Sequence, residues 1–179
     1  DDENLHDFLT DKTVMVTGAG GSIGSELVRQ IISYRPKSLL LVERAEFLLF
    51  NITRELSTDT SGVAHFPLIA DVCDEPRMRE IFERYKPEVI FHAAAHKHVP
   101  LMETNSCEAI KNNIFATRSL GNLAGEFGVD DFVLISTDKA VRPTNVMGAT
   151  KLVAEQYLHS VATHSKTRFI TVRFGNVLN

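Results

Sequence analysis

Apolar strand-like runs alternate with one-sided amphipathic stretches from one end of the chain to the other. The runs fall near 13–17, 38–42, 63–69, 89–93, 132–136 and 169–173, and predict six strands. Between them Ile23, Leu27, Val28, Ile31 and Ile32 recur at helical spacing, as do Ile110, Ile114, Thr117 and Leu120. Such alternation is the sequence form of an α/β protein, a parallel sheet with helices on both faces. The expectation is one doubly wound domain over 1–179 with strand order 3-2-1-4-5-6. No internal repeat, low-complexity tract or Pro/Gly-rich linker divides it.

Composition narrows the function classes. With 44% hydrophobic and 23% charged residues, the chain has an ordinary globular make-up. A formal charge of −4, with Lys and Arg scattered, argues against a nucleic-acid partner. Cys73 and Cys107 stand far apart without C-x-x-C spacing, so neither a zinc knuckle nor a redox pair is written here, and a reduced, cytoplasmic setting fits best. The longest apolar runs, such as 39–42, fall well short of the ~20 residues that span a bilayer, so no membrane contact is expected of this stretch. The chain begins at Asp1 and stops at Asn179 straight after what reads as a buried strand. It therefore reads as a fragment of a longer protein.

The first strand runs directly into Thr17-Gly18-Ala19-Gly20-Gly21-Ser22-Ile23-Gly24 and then a helix. Glycines here allow a tight turn, close backbone approach to a pyrophosphate and close packing of helix on strand. The helix start, at Ser22, Ile23 and Gly24, offers free N–H groups to the anion. Glu43 ends the second strand about 20 residues beyond the loop, where an acid accepts hydrogen bonds from ribose hydroxyls, which favours NAD. Arg44 follows and could instead hold a 2′-phosphate, so NADP stays open. Asp71 and Val72 are read as the end of the third strand, on the adenine side.

His92, His96 and His98 invite a metal reading, but they lack the Glu of H-E-x-x-H, and His92 sits on a strand that turns its side chain elsewhere. No metal site is expected. The better reading is that Ala93, Ala94 and Ala95 let the backbone pass close under a cofactor. Lys97 to Glu103 would form a loop at the carboxyl end of the sheet, where ligands bind in open α/β folds and where Lys97 and His98 could meet a substrate.

The spelling T-G-x-x-G-x-x-G through Gly18, Gly21 and Gly24 resembles the extended short-chain dehydrogenases/reductases, with their NAD(P)-binding Rossmann fold. So does the stretch Ser136-Thr137-Asp138-Lys139 followed by Met147-Gly148-Ala149-Thr150-Lys151, except that Met147 stands where that superfamily's Tyr-x-x-x-Lys pair has its tyrosine. A thioether takes no proton. None of Tyr34, Tyr85 and Tyr157 has a Lys four residues on, so the pair is not rebuilt elsewhere.

Taken together, TGAGGSIGSEL, AAAHKHVPLME, NNIFATRSL, LISTDKAVRPTNVMGATK and VRFGNVL resemble the bacterial polysaccharide-biosynthesis nucleotide-sugar dehydratases of the CapD type, the UDP-N-acetylglucosamine 4,6-dehydratases, in the branch where Met replaces Tyr. That resemblance implies a UDP-sugar substrate. Bound NAD(P)⁺ takes hydride from the sugar 4-carbon, water is lost across the 5- and 6-carbons, and the hydride returns to the 6-carbon. It implies that Lys139 removes the 5-proton, that Asp138, its pKa raised in a closed site, protonates the departing 6-hydroxyl, and that Thr137 bonds the 4-oxygen. Lys151 would position the nicotinamide ribose, Met147 would pack beside it without titrating, and Asn176 would touch the substrate. It also implies a C-terminal substrate lobe beyond Asn179, dimerisation through the helices beginning near Asn105 and Asn145, and, in longer relatives, an anchor at the inner membrane. A sugar 4-epimerase or ketoreductase would use the same fold but would ordinarily need the Tyr. A module that binds NAD(P) without chemistry is the reading from another class.

Overall fold

A computed structural model describes residues 2–58 and 60–175. Six parallel strands, β1 (Thr13–Thr17), β2 (Ser38–Glu43), β3 (Ala64–Ile69), β4 (Val89–His92), β5 (Asp131–Thr137) and β6 (Arg168–Phe174), lie in the order β3-β2-β1-β4-β5-β6. The helices are α1 (Asp2–Leu9), α2 (Ser22–Ser33), α3 (Glu46–Leu56), α4 (Glu75–Tyr85), α5 (Val99–Thr104), α6 (Ser106–Ala109), α7 (Ala116–Phe127) and α8 (Val146–Ala162). A π turn (Ile110–Phe115) joins α6 to α7, and a 3₁₀ turn (Asp138–Ala140) follows β5.

The two-residue period of the strands divides the core. Val14 and Val16 of β1 and Leu39 and Leu41 of β2 face one layer, where Val28, Ile31 and Ile52 of α2 and α3 close over them. Met15, Leu40 and Val42 face the other, with Phe82 of α4, Leu120 of α7 and Leu158 of α8. Because the central strands are covered on both faces, they read as near-continuous apolar runs. Asp74 caps α4 by accepting a hydrogen bond from Arg77 N at 3.1 Å, and Gly128, at φ +69°, ends α7 in the left-handed region.

The strand order is the expected one, and the differences are local. β3 stops at Ile69, so Asp71 and Val72 stand in the loop behind it rather than on the strand. The stretch over 97–103, expected as a loop, contains α5, with Pro100 in the first turn where its missing N–H leaves no intrahelical bond unmade. Among the described residues β6 pairs with β5, and none of its residues is fully covered by them. Helix α1 lies ahead of the first expected strand. Among the described residues no helix is long and apolar enough to cross a membrane.

Candidate cofactor and active site

The glycine turn is built by steric necessity. Gly18 has φ +65°, and a Cβ on it would lie 2.8 Å from the backbone of Ala94. A Cβ on Gly24 would meet the Gly18 carbonyl oxygen at 1.9 Å. Gly21 is different: only Gly18 O, at 3.3 Å, lies near its missing side chain, and it precedes α2 without giving a side-chain cap. The first N–H groups of α2 are thus left to an outside acceptor. Gly18 and Gly21 open onto a cavity of about 280 Å³ at the carboxyl end of β1, β2 and β4. Its other walls include Glu43, Arg44, Val72, Ala93 to Ala95 and Asn112. Ser22, Ile23 and Gly24 lie just behind this lining, in the first turn of α2.

Glu43 is buried, and both its oxygens are engaged by the protein. Oε2 accepts from Gly20 N at 3.2 Å and Oε1 from Ala45 N at 3.0 Å. The carboxylate clamps the glycine turn to the end of β2, with lone pairs left over for a diol. Arg44 is half exposed and lies 3.7 Å from Asp71. Burial by itself would lift the Asp71 carboxyl, but the Cys73 N–H at 2.9 Å and Arg44 outweigh it and hold the group below its ordinary range.

Beneath the cavity, His92 is fully enclosed. Its Nδ1 lies 2.7 Å from Thr17 Oγ1 and its Nε2 2.9 Å from Thr117 Oγ1. Thr17 Oγ1 also accepts from Ala94 N at 3.3 Å, so one ring ties β1, β4 and α7 together under the Gly18–Ala94 contact. Burial, with help from the charge of Lys151, pushes the imidazole down to about 3, so it is neutral at physiological pH. Asn113, in the π turn, donates to His96 O at 3.0 Å and to Thr150 Oγ1 at 3.0 Å and accepts from His96 N at 2.9 Å. Among the described residues no group of three or more His, Cys, Asp or Glu is placed to hold a metal ion.

Thr137, Asp138 and Lys139 gather at the carboxyl end of β5. Thr137 Oγ1 donates to Asp138 Oδ1 at 3.0 Å and accepts from Lys139 N at 3.3 Å; Lys139 Nζ lies 3.4 Å from Asp138 Oδ1. The Asp138 side chain is 59% exposed. Its carboxyl is held below the usual range by the Thr137 hydrogen bond first and by Lys139 next. The upward shift was expected of a closed site; in the open one the group stands in water beside its cation. Gly148 lets α8 press onto this turn, since a Cβ there would lie 2.2 Å from Lys139 O. Asn145 caps α8, accepting from Gly148 N at 2.8 Å.

One turn apart on α8, Met147 and Lys151 are both buried. Met147 packs with Met102 and Ala109, apart from the cavity lining. Lys151 Nζ donates to Ile135 O at 2.9 Å, and burial lowers its ammonium to about 8, against the upward pull of Glu155. Lys97 and His98 are exposed ahead of α5, also apart from that lining. Asn176 lies outside the described residues. Sequence reasoning missed Asn112, Asn113 and the Thr17–His92–Thr117 link; a polar residue on the apolar stripe that carries Ile110, Ile114 and Thr117 was the available sign of Asn113.

Strand order, glycine turn and cavity define a Rossmann-type domain of the short-chain dehydrogenase/reductase class. The chain belongs to the polysaccharide biosynthesis protein family, whose model matches residues 14–179. It is 51% identical to the capsular polysaccharide biosynthesis protein CapD of Staphylococcus aureus over 95% of this chain and 29% of that protein. It is 33% identical to an inverting UDP-N-acetylglucosamine 4,6-dehydratase of Campylobacter jejuni, over 93% of this chain and 49% of the enzyme. A UDP-glucose 4-epimerase of Rickettsia bellii matches at 30%, over 96% of this chain and 50% of the epimerase. The X-ray structure of Pen from Bacillus thuringiensis superposes with TM-score 0.87 at 33% identity, covering 96% of this chain and 54% of that one. This chain thus spans between about a third and a half of the length of these proteins.

Proposed function

We propose that this chain is the dinucleotide-binding part of a UDP-N-acetylglucosamine 4,6-dehydratase serving bacterial polysaccharide synthesis, with NAD favoured over NADP. The observation that carries the reading is the bonded set Thr137, Asp138 and Lys139 at the sheet's carboxyl end, beside a helix whose tyrosine position holds the untitratable Met147. The cradle fits such a cofactor: Gly21 leaves room at its lip, the α2 N–H groups suit a pyrophosphate, and the alanines of 93–95 floor it. When bound, oxidised nicotinamide supplies a hydride acceptor for the sugar 4-carbon and, once reduced, a donor for the 6-carbon.

The protein's part is proton traffic and placement. Thr137 hydrogen-bonds the 4-oxygen. Asp138, already ionised, takes the 4-hydroxyl proton directly or through a water, and so becomes the acid that later protonates the departing 6-hydroxyl. This order needs no raised pKa at the outset. Lys139 removes the 5-proton that the new ketone acidifies. Lys151 holds the nicotinamide ribose, and Lys97, His98 and Asn176 meet the UDP-sugar. Exposed Ile110, Phe115 and Val153, on the π turn and α8, support self-association.

The test uses the full-length protein with UDP-N-acetylglucosamine and mass spectrometry. A product lighter by one water and carrying a 4-keto group is expected; an epimer of unchanged mass would replace this reading with the epimerase one. Asp138→Asn and Lys139→Ala should each lose on the order of 10²-fold in rate. In the Lys139 variant absorbance of reduced cofactor should accumulate, because elimination stalls after oxidation.

A further inference from the structure

Lys151 has little around it to keep it charged. It is buried, and the described residues give it one hydrogen-bond partner, a backbone carbonyl at Ile135. A carbonyl offers a dipole but no charge. The compensating anion is Glu155, one turn further along the same face of α8 and also buried. Glu155 is itself held from two strands: Ser136 Oγ of β5 donates to Oε1, and Arg173 of the edge strand β6 grips both oxygens, with Nε at 3.1 Å from each and its terminal nitrogen on Oε2. We infer that Glu155 is a positioning residue of this site: a buried anion one turn along α8 from Lys151, it keeps that side chain an ammonium. This rests on the reading that Lys151 holds the cofactor ribose, where an ammonium is the stronger donor.

The surrounding groups leave this role to Glu155. His92 on β4 is neutral and hydrogen-bonded to two threonines. On the 3₁₀ turn, Asp138 and Lys139 pair with each other. Glu103 of α5 accepts from Val146 N at 2.7 Å, and Tyr157, further along α8, donates to Asn122 of α7. Arg173 reaches Lys151 through Glu155. Burial would lift the Glu155 carboxyl, but Arg173 and Ser136 hold it below its usual range, so it stays an anion throughout the range in which Lys151, at about 8, titrates.

The experiment follows the Lys151 side-chain carbon in ¹³C-lysine-labelled protein through a pH titration without cofactor, with Lys151→Met giving the assignment. Glu155→Gln keeps the shape and removes the charge, and should lower the Lys151 midpoint by about one unit or more. Glu155→Asp should recover part of that fall. Arg173→Ala, which frees the Glu155 charge from its competitor, should raise the midpoint. The affinity for NADH, measured by calorimetry from pH 6 to 9 (an assay range of roughly the neutral region), should weaken at lower pH in Glu155→Gln than in the parent. An unmoved midpoint in a folded Glu155→Gln protein would overturn the inference. If that variant does not fold, a fall in Arg173→Ala would overturn it equally. Absence of NADH binding in the parent would remove the ribose role and the cofactor reading together, while the titration without cofactor still decides whether Glu155 sets the charge of Lys151.

Discussion

The cradle at β1, β2 and β4 and the Thr137–Asp138–Lys139 cluster at β5 and α8 occupy the same edge of one sheet but are made of different material. The cradle is backbone: glycines with no room for a Cβ, a helix start, three alanines, and a buried carboxylate and imidazole whose hydrogen bonds are satisfied within the domain. The cluster is side chains: a half-exposed Asp–Lys pair whose carboxylate is tuned by its own neighbours rather than by an enclosing wall. A binding surface of this first kind is finished when the domain folds. A reactive site of the second kind gains its working electrostatics only when water is excluded, since the same ion pair is weak in solvent and strong in a closed, low-dielectric space.

If the cradle is the finished half, its internal bonds should matter most to stability, and His92 gives the largest expected effect. Its imidazole is held down to about 3 when folded, against an ordinary 6.5 in the unfolded chain. Between those values the unfolded state binds the extra proton, so stability falls as pH drops through the window, by at most on the order of 5 kcal/mol. Urea titrations across that range should show a flatter pH dependence in His92→Gln; equal slopes would detach His92 from the acid response.

Next comes Gly24→Ala, which drives a methyl group into the Gly18 carbonyl and should cost ~3 kcal/mol or more. Its control is Gly128→Ala, at φ +69° with open space around it, where backbone strain alone should cost about 1 kcal/mol. Similar losses for the two would mean the turn relaxes and is not a rigid template. Met147→Leu, on the cluster side, conserves volume in a small apolar patch. It should change stability by about 1 kcal/mol or less and keep most of the full-length protein's activity. A collapse of activity with stability intact would give Met147 a part in the chemistry. The smallest effect is expected at Arg44, whose contact with Asp71 is long and exposed. Arg44→Ala should leave the fold unchanged and weaken NADP binding more than NAD binding by calorimetry; equal losses would take Arg44 out of cofactor choice.

Much of this division was legible in the residues alone. Alternation of apolar runs with one-sided stripes determined the strands, the helices and the parallel α/β class, because burial on a strand follows a two-residue period and on a helix a 3.6-residue one whatever the partner. Gly18, Gly21 and Gly24 announced the turn for a similar reason: a missing side chain is a local fact with a local steric cause. Tertiary structure alone decided what depends on two distant segments meeting. Glu43 as a clamp needed the Gly20 and Ala45 N–H groups to converge on it. The lowered Asp138 carboxyl needed Thr137 and Lys139 bonded to it in the open. The grip on Glu155 needed Ser136 of β5 and Arg173 of β6 to meet it from α8. A pKa is set by what surrounds a group in space. Sequence names the groups, and only the folded neighbourhood sets their charge.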